Sequence, residues 1–529
     1  MGERPTGRVN SRATSFEPVV LALRPGSEFS QGSATTGGRR STPARPPRAT
    51  CRARGGRHVG HTDLRVGRRQ SPRVPWAVVS LAKWVERPPG PRSFVALVVV
   101  ALAVLVHAFG EAKRPVDTIG GSDVTVYEKY RSAVDAGRMP YRDFAMEYPP
   151  GALLMFVLPA TRPLAGGSVE GASWFPPNAA ARRYYRGFTS LVLLLLAATL
   201  VLTALTLRAM HRPARTVVLS LAVVACSPLL IEQVLIERFD VLPAGLTAAA
   251  LAAAVREHYR LAGAMLGLGA AAKFYPALLV PTLVIVTLRQ RGVREAVVVT
   301  GTTVVSTTAV FLPFAIASLA GTWDSLRVQL SGGLQIETLA SSVLVMTQHA
   351  TDKLTALGLP PASGLTTQGA GGGLVRTDLV GSGVGTTKTV TNVLLVAALG
   401  LLWVSLARNA RDHREELLRY SAATVGTLLV LGTVLSPQYV VWLVPLVPLV
   451  GGRRGTVAVL CFVVAAALTN IWIPERYFEY QEDLGVGPAS LLLARNVALF
   501  AMVAALLMPA HVFRSRRAPI ASGLRRDHV

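Results

Sequence analysis

The chain has 529 residues, of which 51% are hydrophobic and 16% charged, and its mean hydropathy is +0.41. These averages argue against a soluble protein and are typical of a polytopic membrane protein. The formal net charge of +25 is concentrated in the N-terminal region and in short connections, and no nucleic-acid-reading motif accompanies it. The charge therefore indicates the positive-inside asymmetry of a membrane protein rather than nucleic-acid binding.

The first 90 residues differ in composition from the rest of the chain. Residues 1–92 hold 18 Lys plus Arg against 5 Asp plus Glu, among many Gly, Pro, Ser and Thr residues. Such a segment lacks the apolar surface that a packed core requires, so we predict a disordered cytoplasmic tail over 1–90. Its charges suit contact with anionic membrane lipids. We predict the membrane domain over 91–513 and a second basic cytoplasmic tail over 514–529.

Apolar runs dominate the rest of the sequence. In hydrocarbon, backbone groups must be hydrogen-bonded within their own segment, so we predict that each run is a helix. The predicted fold is an all-α integral membrane protein, a polytopic bundle of about 12 transmembrane helices with two large extracytoplasmic loops over 111–149 and 318–388. The runs are 93–110, 150–165, 187–208, 215–230, 239–255, 261–287, 294–317, 389–407, 420–435, 438–451, 456–474 and 490–512.

The charge bias predicts the side of each connection. With a cytoplasmic N-terminus, counting spans places both large loops outside and the basic connections 288–295, 408–419 and 451–455 inside, as the positive-inside rule requires. Two further basic connections, 208–215 and 256–260, fall outside on this count and contradict the rule. Because both large loops share one face, we predict a site at the outer membrane interface rather than a pore.

The segment 122–151, SDVTVYEKYRSAVDAGRMPYRDFAMEYPPG, follows the first apolar run and holds three Asp, two Glu and four Tyr. Asp123 comes soon after the run, where a partly desolvated carboxylate can act as a general base. The tyrosines suit stacking on sugar rings, although an interfacial aromatic belt with a solvated acidic face is the commoner explanation for such residues taken singly. A double proline follows Glu147 and Tyr148 and orients them before the next helix.

Several motifs, taken in chain order, resemble glycosyltransferase family 87. The first is an Asp after the first span with a Tyr four residues on, then G-x-x-P-Y-x-D-F and E-Y-P-P. The others are ERFDVLPAGLTAAALA, LAGAMLGLGAAAKFYPALLVP, GLQIETLASSV and LSPQYVVWLVPL. The family comprises polyprenol-phosphate-mannose-dependent mannosyltransferases of the GT-C superfamily, frequent in actinobacteria. The resemblance covers roughly residues 93–512 and depends on the order of the motifs more than on any one of them.

The resemblance implies an inverting hexosyl transfer, expected to be of mannose, from a polyprenyl-phosphate donor to a glycolipid or glycan acceptor at the outer face of the plasma membrane. Asp123 would be the general base. Arg138, Arg142 and His349 are the candidate contacts of the leaving phosphate, since a Gly-Gly pair stands where the family often has an Arg. No metal or other cofactor is expected beyond the lipid-linked co-substrate, because no His/Cys cluster offers a zinc site. The predicted substrate-binding residues are Tyr127, Arg138, Tyr141, Arg142, Glu147, Tyr148, Lys273, Gln335, Glu337, His349, Gln438, Tyr439 and Trp442.

Some of these residues have a structural alternative. Lys273 interrupts a long apolar run, which indicates a function, yet a kinked helix end whose amine snorkels to the surface fits equally well. The late Ser-Pro motif with Gln438 has an ordinary kink with an aromatic anchor as its alternative. Arg238 and Asp240 are predicted to pair with each other in a structural role, on the inner side and far from the site.

Two other functions compete with the transferase. A transporter or a lipid or glycan flippase would show related halves and broken helices around a site at the bilayer midplane. The sequence shows no convincing internal repeat, and its acids cluster in the predicted outer loops, which favours the transferase. A non-catalytic protein of the cell envelope is the third alternative, and it would not need the motif around Asp123.

Overall fold

The computed structural model describes residues 85–113, 122–159, 179–330, 332–355, 364–370, 376–409, 413–473 and 475–509. Within these residues the chain forms helices and three short strands. The helices are α1 Pro91–Ala112, α2 Asp123–Asp135, α3 Leu153–Val157, α4 Ala179–Ala209, α5 Ala214–Ala225, α6 Ser227–Ile231, α7 Gln233–Ile236, α8 Val241–Val255, α9 Tyr259–Ala272, α10 Val280–Arg291, α11 Val293–Ala317, α12 Leu319–Leu330, α13 Leu339–Thr355, α14 Val384–Asn409, α15 His413–Leu431, α16 Gly452–Trp472, α17 Glu475–Asp483 and α18 Val486–Leu507. The strands are β1 Leu334–Gln335, β2 Thr366–Ala370 and β3 Arg376–Val380. The tail predicted over 514–529, and most of the one over 1–90, lie outside the described residues.

Helices make up most of the described chain, so the helical membrane-protein class is confirmed. Within the described residues, six helices are long and apolar enough to cross a membrane: α1, α4, α11, α14, α16 and α18. The other apolar segments are shorter, and the predicted number of twelve is not established by length and composition. The run predicted over 438–451 is not an α-helix, because it forms the 3-10 turns Pro437–Leu443 and Val447–Leu449. Its residues 440–450 are buried, which is where a bilayer protein tolerates irregular backbone.

The run 261–287 does not form a single span as predicted. Helix α9 ends before Lys273, whose backbone is extended (φ −158°, ψ 142°), and a 3-10 turn at Tyr275–Leu279 precedes α10. The Tyr259 hydroxyl, at the start of α9, donates a hydrogen bond to Gln290 Oε1, near the end of α10, at 2.7 Å. The chain therefore turns back at Lys273-Phe-Tyr-Pro, and α10 returns to the end of the bundle from which α9 started.

The run predicted over 150–165 is also not a span in its described part. It contains only a 3-10 turn and the five-residue α3. The Tyr184 hydroxyl, near the start of α4, donates to the Phe156 carbonyl at 2.9 Å, so this segment stays beside the first turns of α4. Residues 160–165 lie outside the described residues. The prediction counts one crossing for 150–165, whose described part is not a span, and one for 261–287, where the chain turns back. These two errors reverse the predicted side of every connection between the two segments and cancel after residue 287.

The basic connections lie together at one end of the bundle, which we call the basic end. Arg212 forms an ion pair with Glu415, and Arg291 and Arg414 both pair with Glu257. The prediction that 208–215 and 256–260 face the opposite side from 288–295 and 408–419 is therefore wrong. The opposite end of the bundle, where Asp123 lies, is called the site end below.

Helix α9 packs against α11 through small residues. Thr303 donates a hydrogen bond to the carbonyl of Gly263, and Thr307 donates one to the carbonyl of Gly267, each at 3.0 Å. A Cβ atom added to Gly263 would lie 2.6 Å from the Val299 carbonyl oxygen. Glycines four residues apart thus let the two backbones approach closely, as is typical of membrane helix pairs.

The predicted loop 318–388 contains regular structure. It holds α12, α13 and a three-stranded antiparallel sheet in the order β1-β3-β2, with Leu334 and Thr367 both opposite Leu379. Leu334 and Leu379 belong to a second hydrophobic core, which also contains Trp472 and Tyr480. The sequence analysis treats 318–388 as a loop and does not predict these strands.

Candidate active site

Asp123 lies at the first position of α2, with its side chain mostly buried. Ser122 begins the helix, because its hydroxyl oxygen accepts a hydrogen bond from the Val124 amide at 3.2 Å. The Asp123 carboxylate forms an ion pair with Arg238. The exposed fractions of the two side chains are 13% and 30%, so the pair is sheltered but open on the arginine side.

Arg238 belongs to a short connection between α7 and α8, and its position corrects a prediction. The expected Arg238–Asp240 pair far from the site is wrong, because Arg238 pairs with Asp123 and Asp240 pairs with Lys273. The Asp240 and Glu337 carboxylates also act on Arg238. Burial lowers the pKa of the guanidinium, and these two negative charges raise it again. Arg238 is therefore a cation that three carboxylates from different parts of the chain act on.

Lys273 occupies an aromatic cage under this cluster. Its ammonium lies 3.0 Å from Asp240 Oδ1, which also accepts a hydrogen bond from Trp442 Nε1 at 2.7 Å. The ammonium faces the rings of Phe239, Tyr439 and Trp442, at 4.8, 5.0 and 5.6 Å from their centroids. Because only 11% of the Lys273 side chain is exposed, the snorkelling alternative is wrong and the charge stays inside the protein.

Gln335 joins the second loop to the late Ser-Pro motif. Its Oε1 accepts a hydrogen bond from the Leu435 amide at 3.0 Å, and its Nε2 donates to Ser436 Oγ at 3.2 Å and to the Glu337 carboxylate. The Glu337 carbonyl in turn accepts a hydrogen bond from Asn496 Nδ2 at 3.2 Å. These contacts hold the motif GLQIETLASSV against LSPQYVVWLVPL.

Glu337 is a buried acid at this junction. Burial raises its pKa to about 8, although the positive charges of Arg495 and Arg238 lower it. Its Oε2 accepts the hydrogen bond from Gln335, whereas its Oε1 has no hydrogen-bond partner among the residues that the structure describes. The predicted substrate contacts at Gln335 and Glu337 stay predictions, and both residues have a clear positioning role in the protein itself.

The tyrosines of the first loop pack against each other rather than presenting open faces. Tyr127 stacks on Phe156 with 4.3 Å between ring centroids, and Tyr148 meets Phe239 edge to face at 5.0 Å. The Tyr141 hydroxyl donates to the Tyr148 carbonyl at 2.6 Å. All three tyrosines are buried. An interfacial belt does not describe them, because the rings pack against other aromatic side chains of the protein. Their predicted contacts with substrate stay predictions.

The predicted phosphate contacts lie in other surroundings. Arg142 makes two hydrogen bonds to the Asp143 carboxylate, at 2.9 and 3.0 Å, and lowers the pKa of that carboxyl to about 2. Arg138 lies 3.4 Å from the Asp143 carbonyl. His349 is hydrogen-bonded to the Leu484 carbonyl at 2.8 Å. The predicted contacts of these three residues with a phosphate stay predictions, and Asp123 itself contacts Arg238.

Glu147 and Gln438 complete the set of predicted residues. The Glu147 carbonyl accepts a hydrogen bond from Gln329 Nε2 at 2.8 Å, and partial burial raises the pKa of the Glu147 carboxyl to about 7. Gln438 is half-buried on the turn that carries Tyr439 and Trp442. Among the described residues, no group of three or more His, Cys, Asp or Glu could hold a metal ion.

Sequence reasoning missed Arg238, Asp240 and Arg495 as residues of this region. The signal for the first two was present, because Glu-Arg-Phe-Asp places three charges directly before an apolar helix. Arg495 is the single charged residue within α18 and is fully buried, with its guanidinium donating to the Glu337 carbonyl. An intramembrane charge of this kind usually has a function or a partner.

The family model of glycosyltransferase family 87 matches residues 146–437. The chain belongs to glycosyltransferase family 87. The resemblance seen in the motifs is thereby confirmed, and with its six long apolar helices the family 87 chain is a membrane glycosyltransferase. The match contains Arg238, Asp240, Lys273 and Glu337, whereas Asp123 precedes it.

Among solved structures, the chain is similar to ArnT from Cupriavidus metallidurans bound to undecaprenyl phosphate. The two sequences are 14% identical, the alignment covers 79% of this chain and 77% of ArnT, and the TM-score is 0.40. No curated protein matches the chain in sequence.

Proposed function

We propose that this family 87 enzyme transfers a hexose, with mannose as the expected sugar, from a polyprenyl-phosphate donor to a glycolipid or glycan acceptor. The observation that carries the proposal is the Asp123–Arg238 pair, a sheltered carboxylate in contact with a guanidinium at the site end. An inverting transfer needs one carboxylate to accept a proton and one cation near the leaving phosphate. The pair supplies both groups side by side.

In the proposed reaction, the acceptor hydroxyl oxygen attacks the anomeric carbon of the donor sugar. A bond forms between these two atoms while the bond from the anomeric carbon to the phosphate oxygen breaks. The hydroxyl proton goes to the Asp123 carboxylate, and the electron pair leaves with the polyprenyl monophosphate. General base assistance of this kind contributes roughly 10²–10⁴-fold to the rate.

The proposed orientation follows from the charges. Because the basic connections share one end of the bundle, we assign that end to the cytoplasm by the positive-inside rule. The site end then lies at the outer face of the plasma membrane. Counting the α9–α10 reversal as two crossings and the segment 150–159 as none gives about twelve crossings, with both tails cytoplasmic.

The test is transfer of labelled sugar in membranes. Membranes that contain the wild-type chain receive polyprenyl-phosphate-[¹⁴C]mannose and endogenous acceptor lipids, and are compared with membranes that contain Asp123→Asn. We expect transfer by the wild type and a loss of roughly 10²–10⁴-fold in the variant. Arg215→Gln is the matched control, because Arg215 forms an exposed ion pair with Glu86 at the basic end.

The outcomes separate the parts of the proposal. Equal transfer by wild type and Asp123→Asn would retain the enzyme class and reject Asp123 as the base. No transfer of mannose by the wild type, with transfer of another hexose from the same lipid, would reject mannose alone. No transfer from any polyprenyl-phosphate sugar would reject the donor class.

A further inference from the structure

Arg238 and Asp123 serve the proposed reaction better apart than paired. The positive charge of a guanidinium stabilises the ionised form of the carboxylate that it contacts, so the carboxylate is a weaker proton acceptor while the pair is formed. The pair also neutralises part of the guanidinium charge and uses one of its nitrogens, which weakens its attraction for a phosphate oxygen. The observed pair is thus a resting arrangement, and its separation strengthens both groups for the reaction.

The structure allows the Arg238 side chain to move while its backbone stays in place. The neighbouring Asp240 is anchored through Lys273 and Trp442, at 3.0 and 2.7 Å. By contrast, 30% of the Arg238 side chain is exposed, and the only ion pair of its guanidinium with the described residues is the one to Asp123. A guanidinium fork fits carboxylate and phosphate oxygens equally well, so an arriving phosphate offers it an equivalent partner.

We propose that the donor phosphate takes Arg238 from Asp123, and that this exchange frees the carboxylate to act as the base. The inference rests on the proposed function and adds Arg238 as a residue that contacts the leaving phosphate. It makes the base strongest when the donor is bound. The guanidinium keeps one anionic partner before and after donor binding, whereas the Asp123 carboxylate gives up its cation until it accepts the proton of the acceptor hydroxyl.

The exchange predicts an unusual sign for a substitution at the base. Asp123→Asn removes the competing anion, so undecaprenyl monophosphate should bind about tenfold more tightly than to the wild type. Arg238→Gln should weaken the same binding by about tenfold or more, since a charge-assisted contact is lost. The double variant should bind like Arg238→Gln, because the carboxylate acts only through the guanidinium.

Binding is measured on the purified full-length chain in detergent, with undecaprenyl monophosphate as the titrant and no sugar present. Undecaprenol reports the lipid tail alone, and inorganic phosphate reports the headgroup alone. Asp123→Asn is expected to increase the affinity for the two phosphate-containing probes and not the affinity for undecaprenol. Arg215→Gln serves as the control, and thermal unfolding of each variant shows that it is folded.

Each other outcome contradicts the exchange in a distinct way. If Asp123→Asn binds within twofold of the wild type while Arg238→Gln binds weakly, Arg238 contacts the phosphate without leaving the base. If Arg238→Gln binds as the wild type does, Arg238 is not the phosphate ligand. Either result leaves the proposed transfer intact, whereas a wild-type chain that binds no polyprenyl phosphate would reject both proposals.

Discussion

Replacing Lys273 by Met tests how much the buried ion pair stabilises the fold. The change keeps most of the side-chain length and removes the ammonium that lies 3.0 Å from Asp240 Oδ1. At that distance two unit charges attract by about 5–6 kcal/mol at an effective dielectric constant of 20. The Asp240 side chain is only 1% exposed and would retain the Trp442 N–H as a donor. We expect the free energy of unfolding to fall by about 3–5 kcal/mol, as when one partner of a buried pair is removed.

The measurement is equilibrium unfolding by SDS in mixed micelles, followed by tryptophan fluorescence. The double variant Lys273→Met/Asp240→Asn removes both charges, so it should recover at least half of the loss. Arg215→Met breaks an exposed pair and should cost less than about 1 kcal/mol. A Lys273→Met variant within 1 kcal/mol of the wild type would refute the reasoning, as would a double variant as unstable as the single one.

Three further outcomes are expected. Gly267→Ala should lower the free energy of unfolding by about 1–3 kcal/mol, because its Cβ would press on the α11 backbone. Gly301→Ala should not lower it, because no atom lies within 4 Å of the new Cβ. Thermal unfolding that finds Gly301→Ala the less stable of the two variants would contradict the packing. The free energy of unfolding should fall as pH rises from about 4.5 to about 7, since burial raises the pKa of Glu147 and only the native state keeps this carboxyl protonated in that range. In a pH series of melting temperatures, Glu147→Gln should flatten this fall. An unchanged slope in the variant would exclude Glu147 as the source of the fall. In a cysteine-free background, His258→Cys should react with a membrane-impermeant maleimide only from the cytoplasmic side and Glu482→Cys only from outside; labelling of both from one side would reject the orientation.

The family and the place of the first acidic segment follow from local patterns. Asp123 stands after an apolar run with a Ser before it, and a Ser–Asp step suits a helix start, so its position at one end of the bundle was readable. The number of crossings could not be predicted in the same way, because hydropathy is averaged over a window of many residues. The run 261–287 is apolar throughout its length, and only the short Lys-Phe-Tyr-Pro segment marks the reversal that the Tyr259–Gln290 hydrogen bond shows.

One such error reverses the side of every later connection until a second error corrects it. Arg238 lies between the two mistaken segments, and this is why the charge count placed it on the wrong side. The basic connections 208–215 and 256–260 contradicted the positive-inside rule on that count, and this contradiction indicated that the count was wrong. Contacts among remote segments, such as Gln335 with Leu435, have no signal in a single sequence, because nothing local specifies the partner of a buried amide.

The motifs of this chain are individually weak because each supplies one part of a shared network. Arg238 joins the second motif to the first, Lys273 joins the third to the second, and Gln335 joins the fourth to the last. The Trp442 indole closes the network by its bond to Asp240. Groups linked in this way do not contribute additively. Substitutions within the network should therefore show coupling energies of about 0.5–3 kcal/mol in double-variant cycles, whereas pairs that combine one network residue with the exposed Arg215 should be additive within about 0.5 kcal/mol.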